Sequence, residues 1–423
     1  MTAVTERSFE ADAAIHATPA GQGKLFVALS AVFFIIFLIT GEYQQPYGVD
    51  AFTNAVQARA FAEDQSPILE ELDNVALPQY QGTLHWLVSS PNGTTSQYPP
   101  GAALWGTPFY LFDSSLSSLT LGPSEGATSD FEPLTIATPS TLAPATVAAA
   151  LSVAIAMGVF GVTITKLLPR NAAIAAMTTA ALGTGAWSVA SDKLWQHGPA
   201  MMWISIGTYC ASRDRFALSG LAFAAGVLTR PHVAIIAASI GVAIAVNRRS
   251  LREIATLGTV SLLGVIGLAA YNAAVFDSAS LAGGYRLTGF NGETTDSPLV
   301  VLSRLGASLV DGRVGVLWTS PFIGLALIAV LSKSRRGAPP WAIGAAIGGL
   351  LYLVIQYRTN RVTGGGGFFS YRYPLEALVA AGPLFAYATW RWIQDSKPRA
   401  VALLLAVTFS VLTHGAGSLV RLF

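Results

Sequence analysis

Apolar runs recur along the chain at about 25–41, 142–165, 172–190, 198–212, 216–230, 232–247, 254–276, 314–332, 340–357, 373–391 and 399–417. A helical bilayer crossing takes roughly 17–25 such residues. The pattern therefore predicts an all-α, polytopic helix bundle of about eleven spans, the shortest of them near 198–230. The stretch "YPPGAALWGTPFYLF" (98–112) is apolar but short and broken by prolines. It predicts an interfacial or re-entrant helix that does not cross. Between the first two runs, "YGVDAFTNAVQARAFAED" (47–64) has a helical period. Phe52, Ala55 and Val56 share one face, and Thr53, Asn54 and Gln57 share another.

The basic residues orient these spans. With the N-terminus inside and the spans alternating, fifteen Lys and Arg fall inside with six Asp and Glu. Ten basic and seventeen acidic residues fall outside, so the inner face is +9 and the outer face −7. The clusters "NRRSLRE" and "SKSRRG" both lie inside. Counting 98–112 as a crossing would turn both outward, which supports its non-crossing reading. The long connections, 42–141, 277–313 and 358–372, are then all outer, and the inner ones are short. The expected location is the plasma membrane, with a working surface on the outer face.

Composition agrees with this reading. The chain has 423 residues, 52% hydrophobic and 11% charged, and its mean hydropathy is +0.52. A soluble domain carries about a quarter charged residues. The single cysteine, Cys210, excludes an intrachain disulfide. Residues 1–23 are polar and read as a disordered cytoplasmic tail, and the apolar run after them is too long for a cleavable signal. The transmembrane domain is expected over 24–417, with its first outer loop at 42–141 and a short outer C-terminus at 418–423.

Candidate chemistry gathers at the outer ends of the spans. Asp50 opens the helical pattern after the first span and reads as its N-cap, with a carboxylate free to face a cavity. Tyr98 starts a "YPPG" turn before the short helix, whose Trp105, Phe109 and Tyr110 suit an aromatic belt. In "SVASDKLWQHGPAMMW", Asp192, Lys193 and His197 are either turn residues or the polar lining of a site. Arg230 in "GVLTRPHV" either snorkels to the interface or binds phosphate or carboxylate. The outer loops add Arg286, Arg304, Arg313, Arg358, Arg361 and Arg372, the last two flanking four glycines that permit close approach to a ligand or simply flex. The acidic run "EELD" (70–73) reads as solvated, and Asn92–Gly93–Thr94 is a formal glycosylation sequon. No Walker A, zinc-ligand or G-x-S-x-G pattern occurs.

Taken in order, "GVDAFTNAVQARAFAED", "YPPG", "LWQHGPA", "LTRP", "DGRVGVLWTSPF" and "GGGGFFSYRYPLEAL" resemble the GT-C superfamily of polyprenyl-phosphate-sugar-dependent glycosyltransferases over about residues 25–390. The likeness is to the lipopolysaccharide-core and dolichyl-phosphate-mannose transferase types. It implies an outer cavity, a sugar donor on a polyprenyl phosphate, a lipid or glycan acceptor, and inversion at the anomeric carbon. Asp50 matches the family's first-loop carboxylate, the general base. Arg230, Arg372, His197, Lys193, Asp192, Arg286, Arg313 and Tyr98 are then the expected substrate contacts. Many members carry an adjacent acidic pair there. Here Val49 and Ala51 flank a lone Asp50, which weakens the case for a divalent metal, and no cofactor is expected. Membrane lipids are expected partners; nucleic acid is not.

Two other classes compete. A flippase or transporter of a lipid-linked glycan predicts polar groups at mid-span, whereas nearly every charge here falls at a span end. A membrane glycan ligase, or a non-catalytic scaffold, shares the long outer loops but need not place a carboxylate directly after the first span.

Overall fold

The computed structural model describes residues 19–43, 49–69, 87–112, 139–287, 297–312, 314–359 and 369–419. Helix α1 (Pro19–Thr40) starts within the stretch expected to be tail. After it come α2 (Val49–Glu63), a hairpin of β1 (Leu87–Ser90) and β2 (Gly93–Ser96), and α3 (Gly101–Tyr110). The bundle continues with α4 (Pro139–Ile164), α5 (Arg170–Leu182), α6 (His197–Ser212), α7 (Phe216–Thr229), α8 (Val233–Arg248) and α9 (Arg252–Phe276). It closes with α10 (Pro298–Val310), α11 (Val316–Thr319), α12 (Pro321–Leu331), α13 (Pro340–Thr359), α14 (Leu375–Gln394) and α15 (Lys397–Leu419).

Five described segments are long and apolar enough to cross a bilayer: Gly23–Thr40, Leu142–Ile164, Arg252–Phe276, Pro340–Arg358 and Lys397–Leu419. Burial sorts them. The window in α4 is 78% buried, while those in α1, α9 and α15 are 17–22% buried. So α4 is the central post, and the other three turn apolar side chains such as Ile39, Ile266 and Leu412 outward. A soluble protein does not display such a surface. Helix α3 has ten residues, about 15 Å at the usual rise, too short to cross.

Two predicted spans are broken. The 172–190 run divides at Gly183–Thr184–Gly185 into α5 and a single π-helical turn, Ala186–Ala190. The 314–332 run divides at Ser320, ahead of Pro321, because proline disfavours the helical conformation of the residue before it. The hairpin, not expected from the sequence, turns on Ser90–Pro91–Asn92–Gly93, with Ser90 paired to Gly93. Proline in second place and glycine in fourth suit such a turn. Asn92 Nδ2 donates to the Ala274 carbonyl at 3.0 Å, which ties the hairpin to α9.

The bundle has two distinct ends. At one, Lys166 donates to the Ser212 carbonyl at the end of α6, Arg248 pairs with Asp214, and Arg391 donates to the Arg336 carbonyl at 2.6 Å. Cations satisfy the last carbonyls of helices well. The other end holds α2, the hairpin, α3 and the clustered site residues described below.

Candidate functional site

Helix α2 is buried from Ala51 to Ala58, and its far end, with Arg59 and Glu63, reaches solvent. Thr53, Asn54 and Gln57 are as enclosed as Phe52 and Ala55, so both the polar and the apolar face of this stretch are buried. The amide nitrogens of Asn54 and Gln57 have partners, while Asn54 Oδ1 and Gln57 Oε1 are buried without one. Asn54 Nδ2 donates to the Leu194 carbonyl at 2.9 Å and Gln57 Nε2 to the Tyr271 hydroxyl at 3.0 Å. These bonds lock α2 against α9 and against the turn before α6. Asp50 is not the N-cap: it lies inside the first turn of a helix that starts at Val49. Its carboxylate turns to a guanidinium across the bundle.

That guanidinium belongs to Arg372. Nη1 donates to Asp50 Oδ2 at 2.7 Å, with side chains 8% and 24% exposed. The Arg372 guanidinium carbon stacks over Trp195 at 4.8 Å and Tyr373 at 5.2 Å, a geometry that favours a desolvated cation. Tyr98 packs edge-on to Tyr285, with centroids 5.8 Å apart. Burial, and then the charge of Asp50, push the Tyr98 hydroxyl well above its ordinary range. It is therefore held as a donor.

A second cluster centres on Glu376, in the first turn of α14. Glu376, wholly buried, accepts from His197 Nδ1 at 2.8 Å and forms an ion pair with Arg230, whose Nη1 lies 3.2 Å from Oε1. Arg230 Nη2 donates to Gln356 Oε1 at 2.8 Å, and its guanidinium carbon lies 5.9 Å from the Tyr352 ring centroid. Arg230 is thus a buried, paired cation and does not snorkel. Tyr373 joins the clusters, since its ring also lies 6.2 Å from that of His197. Glu376 Oε2 is buried without a hydrogen-bond partner.

The third group precedes α6. Lys193 Nζ pairs with Glu42 Oε2 at 2.7 Å, and the Glu42 N–H donates to the Asp192 carbonyl oxygen at 3.1 Å. Neither Asp192 nor Lys193 is a solvated turn residue. Burial, offset in part by Lys193 and reinforced by Glu42, pushes the Asp192 carboxyl up to about 8.

Asp50, Tyr98, Asp192, Lys193, His197, Arg230 and Arg372 therefore gather at one end of the bundle. Arg286 does not join them; it is exposed and donates to the Ser278 hydroxyl at 3.2 Å. Arg304 caps α13, with Nη1 donating to the Tyr357 and Arg358 carbonyls at 3.0 and 3.3 Å. Arg313, Arg361, the four glycines and the 70–73 acidic run lie outside the described residues. The aromatic belt is corrected too: Tyr110 is core, and Trp105 donates to the Ala148 carbonyl at 2.8 Å. Sequence reading missed Glu376, Gln356, Glu42 and Trp195. For Glu376 there was a signal, an acid at the start of an otherwise apolar span.

Each expected cation of the site thus has a carboxylate partner. Among the described residues no three His, Cys, Asp or Glu side chains converge as metal ligands, and Asp50 is engaged by a guanidinium. An apolar cavity of about 230 Å³ runs between α4, α5, α12, α14 and α15. Phe160, Ala176, Phe322 and Phe385 wall it, and one end reaches Thr184 and Leu375, three residues from Arg372.

No protein-family model matches the chain, and no curated protein matches it. Solved structures do. ArnT from Cupriavidus metallidurans, bound to undecaprenyl phosphate, aligns with a TM-score of 0.50 and 16% identity, over 92% of this chain and 63% of that one. The archaeal oligosaccharyltransferase AglB from Archaeoglobus fulgidus, in complex with an inhibitory peptide and a dolichol-phosphate, aligns with a TM-score of 0.53 and 12% identity, over 93% and 56%. The chain thus spans about three-fifths of the length of these proteins. Its fold is that of these two proteins, an all-α bundle in which five described helices are long and apolar enough to cross a membrane.

Proposed function

We propose that the chain is an integral membrane glycosyltransferase. It moves a sugar from a polyprenyl-phosphate carrier to an acceptor hydroxyl at the outer face of the plasma membrane. The observation that carries this reading is the Asp50–Arg372 pair: a partly open carboxylate 2.7 Å from a stacked guanidinium, directly after the first span. The reaction needs a proton acceptor beside a site for a phosphate leaving group. The fold adds support, since one neighbour is bound to undecaprenyl phosphate and the other is in complex with a dolichol-phosphate.

An ion-paired carboxylate is a weak base. The donor removes that obstacle. Its phosphate, richer in acceptor oxygens than a carboxylate, takes the Arg372 guanidinium, and Asp50 is released toward the acceptor. Asp50 then accepts the hydroxyl proton as the acceptor oxygen bonds to the anomeric carbon. The carbon–oxygen bond to phosphate breaks on the opposite side, its electron pair leaves with the polyprenyl phosphate, and the configuration inverts. Arg372 meets the charge that develops on the leaving group. Tyr98, Lys193 and Asp192 line the approach. The Glu376–Arg230–His197 cluster orders the mouth, and the apolar cavity beside Leu375 suits part of the prenyl chain.

The site lies at helix ends, where a surface transferase needs it, rather than at mid-span. The cation-rich opposite end supports the outer-face assignment. Lipid and glycan analysis of a strain lacking the protein tests the reading. One glycoconjugate is expected to lose one sugar while its lipid-linked donor accumulates; an unchanged glycan profile would count against a transferase.

A further inference from the structure

Behind Arg372 lies a buried histidine that the reaction does not use. His414, on α15, is wholly enclosed. Its Nδ1 lies 2.7 Å from the Ser188 hydroxyl on the π-helical turn, and its Nε2 lies 2.9 Å from the Ser320 hydroxyl at the break before α12. Ser320 Oγ also lies 2.8 Å from the Tyr371 hydroxyl and donates to the Gly183 carbonyl at 2.7 Å. Phe369 and Tyr371 each present a ring to the imidazole edge-on, at 6.0 Å.

Valence sets the direction of these bonds. A serine hydroxyl has one hydrogen, and Ser320 gives it to Gly183. Toward Tyr371 and His414 it can only accept. His414 Nε2 therefore carries a hydrogen. Its neighbours among the described residues are hydroxyls and aromatic edges, with no carboxylate to balance a cation, so Nδ1 is bare and accepts from Ser188. The tautomer follows from the network.

The network converges on the backbone that presents Arg372. Tyr371 is the preceding residue. Ser370 before it is buried, holds φ at 75°, and donates to Thr319 Oγ1 at 2.9 Å. A non-glycine residue keeps such a conformation only where its surroundings enforce it. A Cβ on Gly185 would stand 2.5 Å from the Tyr371 carbonyl oxygen, so the broken 172–190 helix packs directly on this segment.

We propose that His414 is a positioning residue for the anion-binding arginine. In its Nε2–H tautomer it holds the Ser320–Tyr371 hydroxyl pair, which sets where the Arg372 guanidinium meets a prenyl phosphate. The proposal rests on the reading of Arg372 given above and extends it to the last helix of the chain.

Substitutions at 414 separate positioning from bulk stability. Glutamine reaches the Nε2 position with an amide donor, whereas asparagine reaches only the Nδ1 position. The probes are farnesyl phosphate and farnesol, titrated into purified full-length protein in lipid nanodiscs. His414→Asn is expected to raise the Kd for farnesyl phosphate about tenfold, the loss of one charge-assisted hydrogen bond, and to leave farnesol binding unchanged. His414→Gln is expected to stay near wild type with both. Equal effects of Asn and Gln, parallel weakening of both probes, or no weakening by Asn would overturn the proposal. Arg372→Ala is measured beside them. If it spares the advantage of the phosphate over the alcohol, the reading of the site falls and the role of His414 with it. If it removes that advantage while Asn and Gln behave alike, only the role of His414 falls.

Discussion

Arg372 Nη1 meets Asp50 Oδ2 at 2.7 Å, a contact between residues 322 apart in the chain. It places the candidate base and the candidate phosphate ligand in one resting pair. Two opposite effects follow on removing the carboxylate charge. Asp50→Asn leaves Arg372 without its anionic partner, so prenyl-phosphate binding is expected to tighten several-fold while transfer is lost. Isothermal titration of farnesyl phosphate against wild type and Asp50→Asn checks the first half; a weaker Kd in the variant would show that Asp50 does not compete with the phosphate.

Arg372→Lys keeps the positive charge but gives up the flat guanidinium stacked on Trp195 and Tyr373. Lysine is a point charge and does not replace that geometry. The variant is expected to raise the donor KM about tenfold or more with a smaller change in acceptor KM, read from initial rates with each substrate varied in turn. Equal changes in both would place Arg372 away from the donor.

Glu376 is the counter-charge for Arg230 in a wholly buried setting. Glu376→Ala leaves that guanidinium unpaired and is expected to cost about 3–5 kcal/mol, seen as a marked fall in Tm in detergent. Glu376→Ala with Arg230→Met removes both charges and is expected to recover most of the loss. A double variant no more stable than the single one would mean that the pair is not what holds this corner.

Asp192 lies in the turn before α6, and burial lifts its carboxyl from an ordinary value near 4 to about 8. The folded protein therefore holds a proton there that the unfolded chain releases. Its stabilising contribution is complete below about pH 4 and is lost as the pH rises toward 8. Asp192→Asn is expected to flatten the Tm–pH curve over that window. An unchanged slope between pH 5 and 8 would show that Asp192 does not titrate there.

The sequence made part of this site legible, for a physical reason. Charges are costly in apolar spans, so those that occur stand out. Asp50, His197, Arg230 and Arg372 could be named because they interrupt or border apolar runs. Which carboxylate would neutralise which arginine was not legible, because the pairing depends on how α14 packs against α6 and α13. Glu376 was not singled out at all. Arg286 and Arg304 look equivalent in sequence to Arg372, yet one faces solvent and the other caps a helix. The five segments long enough to cross were easy to read by length. The breaks at 183–185 and at Ser320 were written in glycine and proline but masked by the hydropathy on either side. Thr53, Asn54 and Gln57 could be placed on one face of the helix beginning at Val49, but not its burial, because the groups that accept from the Asn54 and Gln57 amides, the Leu194 carbonyl and the Tyr271 hydroxyl, come from distant elements.

The most direct test of the account is a single-turnover measurement with protein in nanodiscs, a sugar carried on a polyprenyl phosphate, and acceptor from the membrane extract of a strain lacking the protein. The wild type is expected to transfer the sugar and release prenyl phosphate in equal amounts. Asp50→Asn is expected to do so about 10²–10⁴-fold more slowly while still binding the donor. Transfer by the variant at a rate close to wild type would contradict Asp50 as the base and with it the mechanism built on the Asp50–Arg372 pair.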